Sequence, residues 1–510
     1  MHLATRKLIH DIDEFAEKKL GISADTLMQN AGKSAADVIL SLTKEGERVL
    51  VLCGKGKNGG DGYVVALQLF ECGRYVTVFE SEADSRDASS ELYRTKLKKK
   101  IKLIHPLSDK EKLIGASSQA EVIVDAVFGV GFHGYLPECE AQALGIVNRS
   151  KAKRIAIDCP SGVDSDSGRV SPGTFAADMT LTMAYVKRGM LCYPAKEYCG
   201  EIHVCDIGID KNEVEKNILM DCHTVDEGMI RKYVLNRPAD SHKGTYGRLM
   251  LVCGSDGMSG AAVLACEGAL RMGVGLCELV CTRSVADIVA SYCPEVIFTV
   301  VPPLSEWDNN VYEKLLLHSV DADAILIGCG LGQHPNAERL IELLSTIAGC
   351  PMIIDADGLN SLDGRTTLLE EAVRDIVITP HPKEFARLVC GNVEDVQWDR
   401  YNATVSLSEK CSVTVLLKGA ATVICASDKN KYINQTGNSG LARAGAGDVL
   451  AGMIGALLAQ GIPSGVSAAL GAHIHGAAAE LLCREYSEAG MLVRDIPMAA
   501  ARYLASLANK

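Results

Sequence analysis

The sequence has few aromatic residues, no excess of basic residues and no closely spaced cysteine pair. Aromatic residues make up only 5% of the 510 residues, whereas there are 48 glycines and 47% of the chain is hydrophobic. This composition suits α/β domains with tight strand-to-helix turns, and the length allows two of them. The net charge of −12 argues against a nucleic-acid partner held by a broad basic surface, and we expect none.

The 19 cysteines include no Cys-x-x-Cys pair. Many lie in apolar stretches, as Cys53, Cys253 and Cys329 do, which predicts buried reduced thiols rather than disulfides or zinc ligands. The first 20 residues carry acids where a signal peptide needs an apolar core. The longest apolar run, 449–462, is too short and too rich in glycine for a membrane span. The sequence therefore predicts a soluble, cytoplasmic protein with no membrane partner.

Two series of apolar strands alternate with helical segments along the chain. RVLVLCG (48–54) and EVIVDAVFG (121–129) belong to the first series, and RLMLVCG (248–254) and AILIGCG (324–330) to the second. Continuous apolar strands with helices between them predict a mainly parallel sheet covered on both faces. The pattern is interrupted by a polar stretch near residue 220. We predict an α/β protein with two domains, 1–219 and 220–510.

In the first half, polar residues follow three predicted strands. The loop GKGKNGGDG (54–62) follows one strand, Asp125 ends the second, and Asp158 ends the third, with Ser161 in the turn that follows. Ligands of open α/β sheets bind at the carboxyl ends of strands, and glycines let backbone N–H groups approach an anion. The alternatives are a tight turn without a ligand and aspartates that cap helices or form salt bridges. Three such ends together favour a site.

The motifs of this half resemble the NAD(P)H-hydrate epimerase domain. The segments LMQNAG, GKGKNGGDG, DAVFGVGFHG and DCPSGVDSDSG occur in this order. The resemblance implies a Rossmann-like three-layer sandwich and a potassium ion held by Asn58, Asp125 and Ser161. It also implies that a damaged nicotinamide dinucleotide is lined by Lys57, Asn58, Gly59, Gly60, Asp61, Gly129, Val130, Gly131, Phe132, His133, Gly134, Tyr135 and Asp158. Lys57 stands where asparagine is common in the motif.

The chemistry of that substrate explains why a carboxylate is needed. NAD(P)H hydrate carries a hydroxyl on C6 of the reduced ring, next to the ring nitrogen, whose lone pair assists reversible loss of the substituent or ring opening. Re-addition on the other face inverts the centre, and a positioned carboxylate shuttles the proton. We predict that Asp125 is this acid/base.

In the second half, a glycine turn leads directly into an acid and an apolar helix. The segment NQTGNSGLARAGAGDVLAG places Gly445 and Gly447 immediately before Asp448. Backbone N–H groups at a helix start can receive phosphate oxygens, and Asp448 beside them can take a proton from a hydroxyl as phosphoryl is transferred to it. The alternative is an aspartate that only caps a buried helix.

This half resembles the ribokinase-like superfamily and, within it, the ADP- or ATP-dependent NAD(P)H-hydrate dehydratases. GCGLG, DADGLN, TPHPKEFARL, VLLKGAATVI and TGNSGLARAGAGD carry the resemblance. It implies a ribokinase-like three-layer sandwich with Mg²⁺ on the nucleotide phosphates. The hydrate would contact Ala262, Gly332, His381 and Asp448, and the adenine nucleotide would contact Lys418, Gly419, Ala420, Ala421, Thr422 and Gly447. Lys383 replaces a frequent glycine, and Ala446 replaces a frequent threonine or serine.

The two resemblances together imply a fused repair enzyme, both isomerase and lyase, and a homo-oligomer. The first domain would interconvert R and S NADHX or NADPHX, and the second would dehydrate the S form with ADP or ATP as phosphoryl donor. One alternative is a ribokinase-superfamily small-molecule kinase, and another is a first domain that only binds. We expect His473 and His475 to be core or capping residues, since residues two apart on a helix face different ways.

Overall fold

The computed structural model describes residues 1–101, 104–235, 237–347 and 349–508. Its backbone contacts divide these residues into two units: His2–Cys222 forms one, and His223–Lys510 forms the other together with Met1. We call them the first and the second unit and describe each by itself.

A parallel sheet in the order β4-β3-β2-β5-β6-β7-β9 organises the described part of the first unit. Each neighbouring pair in it is parallel, as the apolar strands predict, and the short strands β1 and β8 pair separately. The strands are β1 Leu3–Ala4, β2 Arg48–Cys53, β3 Tyr75–Glu80, β4 Ile104–Pro106, β5 Val122–Ala126, β6 Lys153–Ile157, β7 Met179–Met183, β8 Val186–Lys187 and β9 Glu201–Cys205.

Helices cover both faces of this sheet. Because side chains alternate along a strand, Val49 and Val51 of β2 pack with the first four helices of the chain, while Leu50 and Leu52 pack with the next two. This arrangement gives the three predicted layers. The helices are α1 Arg6–Leu20, α2 Ala24–Leu42, α3 Lys57–Glu71, α4 Ala88–Lys98, α5 Lys110–Gln119, α6 Glu138–Val147, α7 Lys196–Cys199 and α8 Lys211–Asn217, with a 3₁₀ turn at Arg188–Leu191.

The sheet of the second unit has the order β10-β19-β18-β17-β16-β15-β14-β11-β12-β13. It is parallel from β13 to β17, and β17, β18 and β19 pair antiparallel at one side. The strands are β10 Cys222–His223, β11 Arg248–Val252, β12 Leu276–Cys281, β13 Ile297–Val300, β14 Ala324–Ile327, β15 Met352–Ile354, β16 Ile376–Ile378, β17 Thr414–Leu417, β18 Val423–Cys425 and β19 Lys431–Ile433.

Two helical layers cover this sheet as well. Leu249 and Leu251 face one apolar cluster, and Met250 and Val252 face the other. The helices are α9 Glu227–Tyr233, α10 Ser259–Arg271, α11 Arg283–Tyr292, α12 Asn309–Val320, α13 Pro335–Ile347, α14 Asp357–Leu362, α15 Thr367–Glu370, α16 Pro382–Leu388, α17 Val393–Trp398, α18 Arg400–Cys411, α19 Ala446–Ala459, α20 Ser464–Tyr486 and α21 Ile496–Ala508, with 3₁₀ turns at Lys243–Tyr246, Leu304–Glu306, Ser439–Leu441 and Val493–Asp495.

In each sheet, the direction in which the chain adds successive strands reverses between two central strands. In the first unit β2 lies between β3 and β5, and in the second β11 lies between β12 and β14. Connections run to opposite sides at such a point, which leaves a crevice at the carboxyl ends of the two strands. The predicted loop 54–62 follows β2, and Asp125 lies near the end of β5.

Within the described part of the chain, one helix, α20, is long and apolar enough by length and composition to cross a membrane, but 72% of its apolar window is buried inside the protein. Such burial is typical of a core helix. All 19 cysteines are free, and most of them are buried, as the sequence predicts.

Candidate active sites

The Asp125 carboxylate is fully buried near the carboxyl end of β5. Its Oδ1 accepts hydrogen bonds from the Val127 N–H at 3.1 Å and the Ser161 hydroxyl at 2.7 Å, and its Oδ2 accepts one from the Ser161 N–H at 2.7 Å. Burial raises the pKa of Asp125 to about 6, although the bonds from Ser161 oppose the shift. A carboxyl group with this pKa can both take and give a proton near neutral pH.

The Asn58 side chain, in the first turn of α3, is buried without a partner. Among the described residues, neither its Oδ1 nor its Nδ2 makes a hydrogen bond. Leaving such a group unpaired costs about 1–3 kcal/mol. Phe128 and Gly129 lie between this side chain and Ser161. The Phe128 N–H donates to the Ser161 hydroxyl at 2.8 Å, and a Cβ atom added at Gly129 would lie 3.1 Å from Asn58 Cγ.

These residues fit a potassium ion. Asn58, Asp125 and Ser161 supply amide, carboxylate and hydroxyl oxygens, the donor type that hard cations prefer. An ion bound to Asn58 Oδ1 would also remove the cost of the unpaired amide oxygen.

Asp158 fixes the loop after β5. It has a left-handed backbone with φ of 65°, and its Oδ2 accepts a hydrogen bond from the Val130 N–H at 2.9 Å. Its Oδ1 accepts a hydrogen bond from the ammonium of Lys187, a fully buried side chain that also donates to Thr182 Oγ1 at 2.9 Å. The bond to Val130 positions the loop predicted to line the nucleotide, and the buried ammonium of Lys187 holds Asp158 in place.

Within that loop, Phe132 points inwards while His133 and Tyr135 remain exposed. Phe132 belongs to an apolar cluster of the unit, with its ring centroid 5.3 Å from that of Phe128. The Arg6 guanidinium donates to the Phe132 carbonyl at 3.2 Å and lies 3.2 Å from His133 Nδ1. Tyr135 is 80% exposed. A ligand could thus reach the side chains of His133 and Tyr135, but only the backbone of Phe132.

Three glycines of the 54–62 loop serve close packing. A Cβ atom added at Gly59 would lie 2.0 Å from the Gly54 carbonyl oxygen, one at Gly60 would lie 2.5 Å from Met28 Sδ, and one at Gly62 would lie 2.6 Å from Ala126 Cβ. A side chain at Gly59 or Gly62 would push α3 away from the strand ends, and one at Gly60 would collide with Met28 of α2. The close backbone approach that the sequence suggested for an anion is, at these three positions, an approach of α3 to its neighbouring elements.

This loop also carries an acidic group, Asp61. Burial raises the pKa of Asp61 well above its ordinary value, and the charges of Asp158 and Asp13 raise it further. Burial also raises the pKa of Asp13, whose Oδ2 lies 3.7 Å from the exposed Lys57 ammonium. A protonated Asp61 can donate a hydrogen bond to a ligand oxygen.

In the second unit, three strand ends and one helix start meet. Cys329 follows β14, Asp355 follows β15 and Lys418 follows β17. Lys418 Nζ donates to Asp355 Oδ1 at 2.8 Å, and Cys329 Sγ lies 3.8 Å from Asp355 Oδ2. A Cβ atom added at Gly447, in the first turn of α19, would lie 3.3 Å from Lys418 Nζ and 3.7 Å from Asp355 Oδ2. The open helix start therefore faces an ammonium group.

Asp448 is the next residue of α19, half-buried in the same place. Burial raises its pKa to about 6, helped by the Asp355 charge and opposed by Cys329 and Lys418. Gly445 precedes the helix with φ of 93°, a left-handed conformation that glycine adopts without strain. Asp448 can therefore act as a proton acceptor next to backbone and ammonium groups that suit a phosphate.

Glu384 adds a second carboxylate next to Lys418. It is buried, and its Oε2 lies 3.9 Å from Lys418 Nζ. Burial disfavours the ammonium form, but the charges of Asp355 and Glu384 outweigh it and raise the pKa of Lys418. Lys418 is held as a cation in the site.

His381 caps the helix that carries Glu384. Its Nδ1 accepts from the N–H groups of Lys383 and Glu384, both at 3.1 Å, and the Glu384 carboxylate accepts from the His381 N–H at 2.8 Å. Because Nδ1 accepts, a neutral His381 carries its proton on Nε2. Because Nδ1 is already occupied, the predicted contact of His381 with the hydrate would have to be made by the Nε2 side of the ring. The His381 side chain is 47% exposed.

The remaining predicted residues of this unit differ in accessibility. In the loop Lys418–Thr422, a Cβ atom added at Gly419 would lie 2.2 Å from the Arg400 guanidinium, and Thr422 Oγ1 donates to the Gly419 carbonyl at 3.0 Å. The Gly332 N–H donates to Asp357 Oδ2 at 2.8 Å. Ala262 is fully buried, so the structure gives its predicted contact with the hydrate no support, and that contact stays a prediction.

His473 and His475 lie inside the helical layer. His473 Nε2 is 3.0 Å from the Tyr503 hydroxyl. Burial lowers the pKa of each histidine to about 4, so both are neutral near pH 7. His475 is a core residue, and His473 is half-buried at the edge of the core.

Asp355, Asp357, Glu384 and Cys329 were not among the predicted site residues. Asp355 could have been found, because it directly follows the buried strand segment PMII, the same signal that identified Asp125. Glu384 gave no such signal, since it reaches the site from the first turn of a helix.

Comparisons with known proteins agree with this geometry. Residues 249–501 match the family model described as NAD(P)H-hydrate dehydratase, and residues 24–189 match the one described as YjeF-related protein N-terminus. A bifunctional NAD(P)H-hydrate repair enzyme of Moorella thermoacetica is 34% identical over 507 residues, covering 97% of this chain and 95% of that protein. One of Escherichia coli is 32% identical over 483 residues, covering 94% and 89%.

Solved structures match the second unit. An ADP/ATP-dependent NAD(P)H-hydrate dehydratase of Bacillus subtilis, co-crystallised with ATP and Mg²⁺, is 30% identical with a TM-score of 0.50, covering 57% of this chain and all of that one. A ribokinase-like superfamily protein of Enterococcus faecalis, 24% identical with a TM-score of 0.50, covers 57% of this chain and 98% of its own and shows the same fold. The predicted α/β class and the ribokinase-like fold are confirmed.

Proposed function

We propose, from the premise that this chain belongs to the bifunctional NAD(P)H-hydrate repair enzymes, that Asp448 is the base of the dehydration and Asp125 the acid/base of the epimerisation. The relatives support the fused repair enzyme and not the alternative small-molecule kinase. The domains 1–219 and 220–510 would carry the epimerase and the dehydratase respectively.

The observation that carries the dehydratase assignment is the position of Asp448 beside Gly447, Lys418 and Asp355. The Asp448 carboxylate would take the proton of the C6 hydroxyl while the terminal phosphoryl group of ATP or ADP is transferred to that oxygen. The N–H groups at the start of α19 and the Lys418 ammonium would hold the migrating phosphoryl group.

Phosphorylation turns the hydroxyl into a good leaving group. The lone pair of the ring nitrogen would expel phosphate, and loss of a proton from C5 would restore the double bond of NAD(P)H. Mg²⁺ bound to the nucleotide phosphates would neutralise part of their charge. The related Bacillus structure obtained with ATP and Mg²⁺ supports these cofactors.

For the epimerase we propose that Asp125 carries a proton to and from the C6 substituent, with Ser161 orienting its carboxylate. A potassium ion held by Asn58, Asp125 and Ser161 would supply positive charge for an anionic part of the substrate. The same ion would lower the pKa of Asp125. The cytoplasmic location and the homo-oligomer stay predictions.

Two single substitutions should separate the activities. With mixed-epimer NADHX, Mg²⁺ and ATP or ADP, the wild-type chain should convert both epimers, as followed by the absorbance of reduced nicotinamide. Asp448→Asn should lose about 10²–10⁴-fold in dehydration rate and still equilibrate the epimers. Asp125→Asn should dehydrate only the S epimer and leave the R epimer.

The exposed acids Asp287 and Asp37 provide matched controls. Asp287→Asn and Asp37→Asn should behave like the wild type. Dehydration by Asp448→Asn, or conversion of the R epimer by Asp125→Asn, at wild-type rate would show that the corresponding carboxylate is not the proton carrier. A stable phosphorylated product, with no recovery of NADH absorbance, would instead favour the kinase.

A further inference from the structure

The Cys329 thiol lies inside the second-unit site but takes no part in the proposed dehydration. One sulfur or oxygen atom from each of Cys329, Asp355 and Asp448 lies within 4.8 Å of the other two. Cys329 and Asp355 are buried, whereas Asp448 is partly exposed. The cluster thus has a closed floor and one side open to solvent.

The two oxygens of Asp355 have different surroundings. Its Oδ1 accepts hydrogen bonds from the Lys418 ammonium at 2.8 Å and the Thr379 hydroxyl at 2.7 Å. Its Oδ2 faces the Cys329 thiol at 3.8 Å. The hydrogen bond from Lys418 thus goes to Oδ1, whereas Oδ2 faces the thiol proton.

In this cluster the negative charge of the carboxylates exceeds the positive charge of Lys418. Lys418 is shared between the carboxylates of Asp355 and Glu384, and Asp448 adds a third. The thiol is kept protonated, because contact with Cys253, burial and the neighbouring carboxylates raise the pKa of Cys329. A cation that replaced the thiol proton would relieve the repulsion among these groups.

We propose that Cys329, Asp355 and Asp448 form a binding site for a thiophilic divalent cation, Zn²⁺, whose occupancy blocks dehydration. Binding releases the proton of the Cys329 thiol and forms a Zn–thiolate bond. The thiolate selects Zn²⁺ over Mg²⁺, which prefers oxygen ligands. The mixed ligand set and its burial distinguish this cluster from an exposed acidic patch.

The geometry is close to that of a zinc site. With Zn–S of about 2.3 Å and Zn–O of about 2.0–2.2 Å, ligand atoms of a tetrahedral centre lie roughly 3.3–3.7 Å apart. The Cys329–Asp355 distance of 3.8 Å is already near this value, and the other ligand atoms need to approach one another by about 1.5 Å at most. Three protein ligands leave a fourth position for water or a phosphate oxygen.

Zinc binding itself does not depend on the proposed function, whereas inhibition does, because it acts through Asp448. Binding is therefore measured directly on the full chain, by competition between the protein and a chromophoric zinc chelator. Co²⁺ serves as a spectroscopic probe, since a cobalt–thiolate bond gives a near-ultraviolet charge-transfer band. Dehydration with Mg²⁺ and ATP is measured in parallel, before and after addition of Zn²⁺ and of a zinc-selective chelator.

The wild-type protein should bind one Zn²⁺ tightly, show the cobalt–thiolate band and lose dehydration reversibly. Cys329→Ser and Cys329→Ala should lose the band and bind zinc at least about 100-fold more weakly. Asp448→Asn should also bind zinc more weakly. Cys281→Ser and Cys390→Ser, a buried and an exposed cysteine outside the cluster, should keep the band. Circular dichroism establishes that each variant is folded.

An unchanged cobalt band in folded Cys329→Ser, or the absence of tight zinc binding by the wild type, would overturn the proposal. Tight zinc binding by a chain that is inactive on the hydrate would leave the metal site standing and refute only the proposed function. Zinc inhibition that persists in Cys329→Ala would place the inhibitory ion elsewhere.

Discussion

The ammonium of Lys418 lies 2.8 Å from Asp355 Oδ1, in a pair whose carboxylate side chain is only 2% exposed. The same nitrogen faces the first turn of α19 at Gly447. Lys418 and Asp355 act in opposite directions on the neighbouring base, since Asp355 raises the pKa of Asp448 and Lys418 lowers it. The pair thus sets both the charge that meets a phosphate and the proton affinity of Asp448.

Removal of Lys418 should destabilise the second unit. Lys418→Met leaves the Asp355 carboxylate buried without its partner, which should cost about 3–5 kcal/mol in the free energy of unfolding. Both tryptophans of the chain, Trp307 and Trp398, lie in this unit, so urea unfolding followed by tryptophan fluorescence reports on it.

Two further variants serve as controls for this measurement. Lys410→Met removes an ammonium that is 58% exposed and should cost less than about 1 kcal/mol. The double variant Lys418→Met/Asp355→Asn should regain part of the lost stability. A cost for Lys418→Met no larger than that for Lys410→Met would show that the buried pair does not hold the site together.

Dehydration should depend on pH through Asp448. The pKa of Asp448 is raised to about 6, and only its unprotonated form accepts the hydroxyl proton. The kcat/KM for dehydration should therefore be level above pH 7 and fall about tenfold per unit below pH 6. The profile is measured at hydrate and nucleotide concentrations well below their KM, with the residual rate of Asp448→Asn as reference. A wild-type profile that follows this variant between pH 5 and 8 would contradict the role.

A methyl group at Gly447 should interfere with the nucleotide. Its Cβ would lie 3.3 Å from Lys418 Nζ, in the space proposed for phosphate. Gly447→Ala should raise the KM for ATP or ADP by about tenfold or more, with a smaller effect on the stability of the fold. Gly145→Ala, at a helical glycine with open space around it, is the control. An unchanged KM in folded Gly447→Ala would move the phosphate site away from α19.

Potassium should stabilise the first unit through Asn58. The unpaired amide of Asn58 gains a partner when the ion binds, so K⁺ should raise the melting temperature and slow hydrogen exchange in α3. Asn58→Ala should lose this response, and without K⁺ it should lower the free energy of unfolding by no more than about 1 kcal/mol, because it also removes an unpaired polar group. The exposed Asn212 provides a control in Asn212→Ala. Equal K⁺ responses in both variants would exclude Asn58 as a ligand.

The apolar strand pattern was enough to predict an α/β protein with two domains and the polar strand ends of the first site. Asp125 and Asp448 could be singled out because one ends a buried run and the other follows a glycine turn into an apolar helix. The bordering motifs also identified the family. These features are local, since a strand, a turn and a helix start are each set by a few neighbouring residues.

Which side chains meet at a site was decided by the tertiary structure. The sequence does not reveal that Lys418 pairs with Asp355, that Lys187 holds Asp158 or that the Cys329 thiol lies among carboxylates. Nor does it show that Gly59 and Gly62 allow α3 to pack closely on the sheet. These contacts join residues far apart in the chain, and they arise because parallel strands bring their carboxyl ends to one edge, where burial and charge then set each pKa.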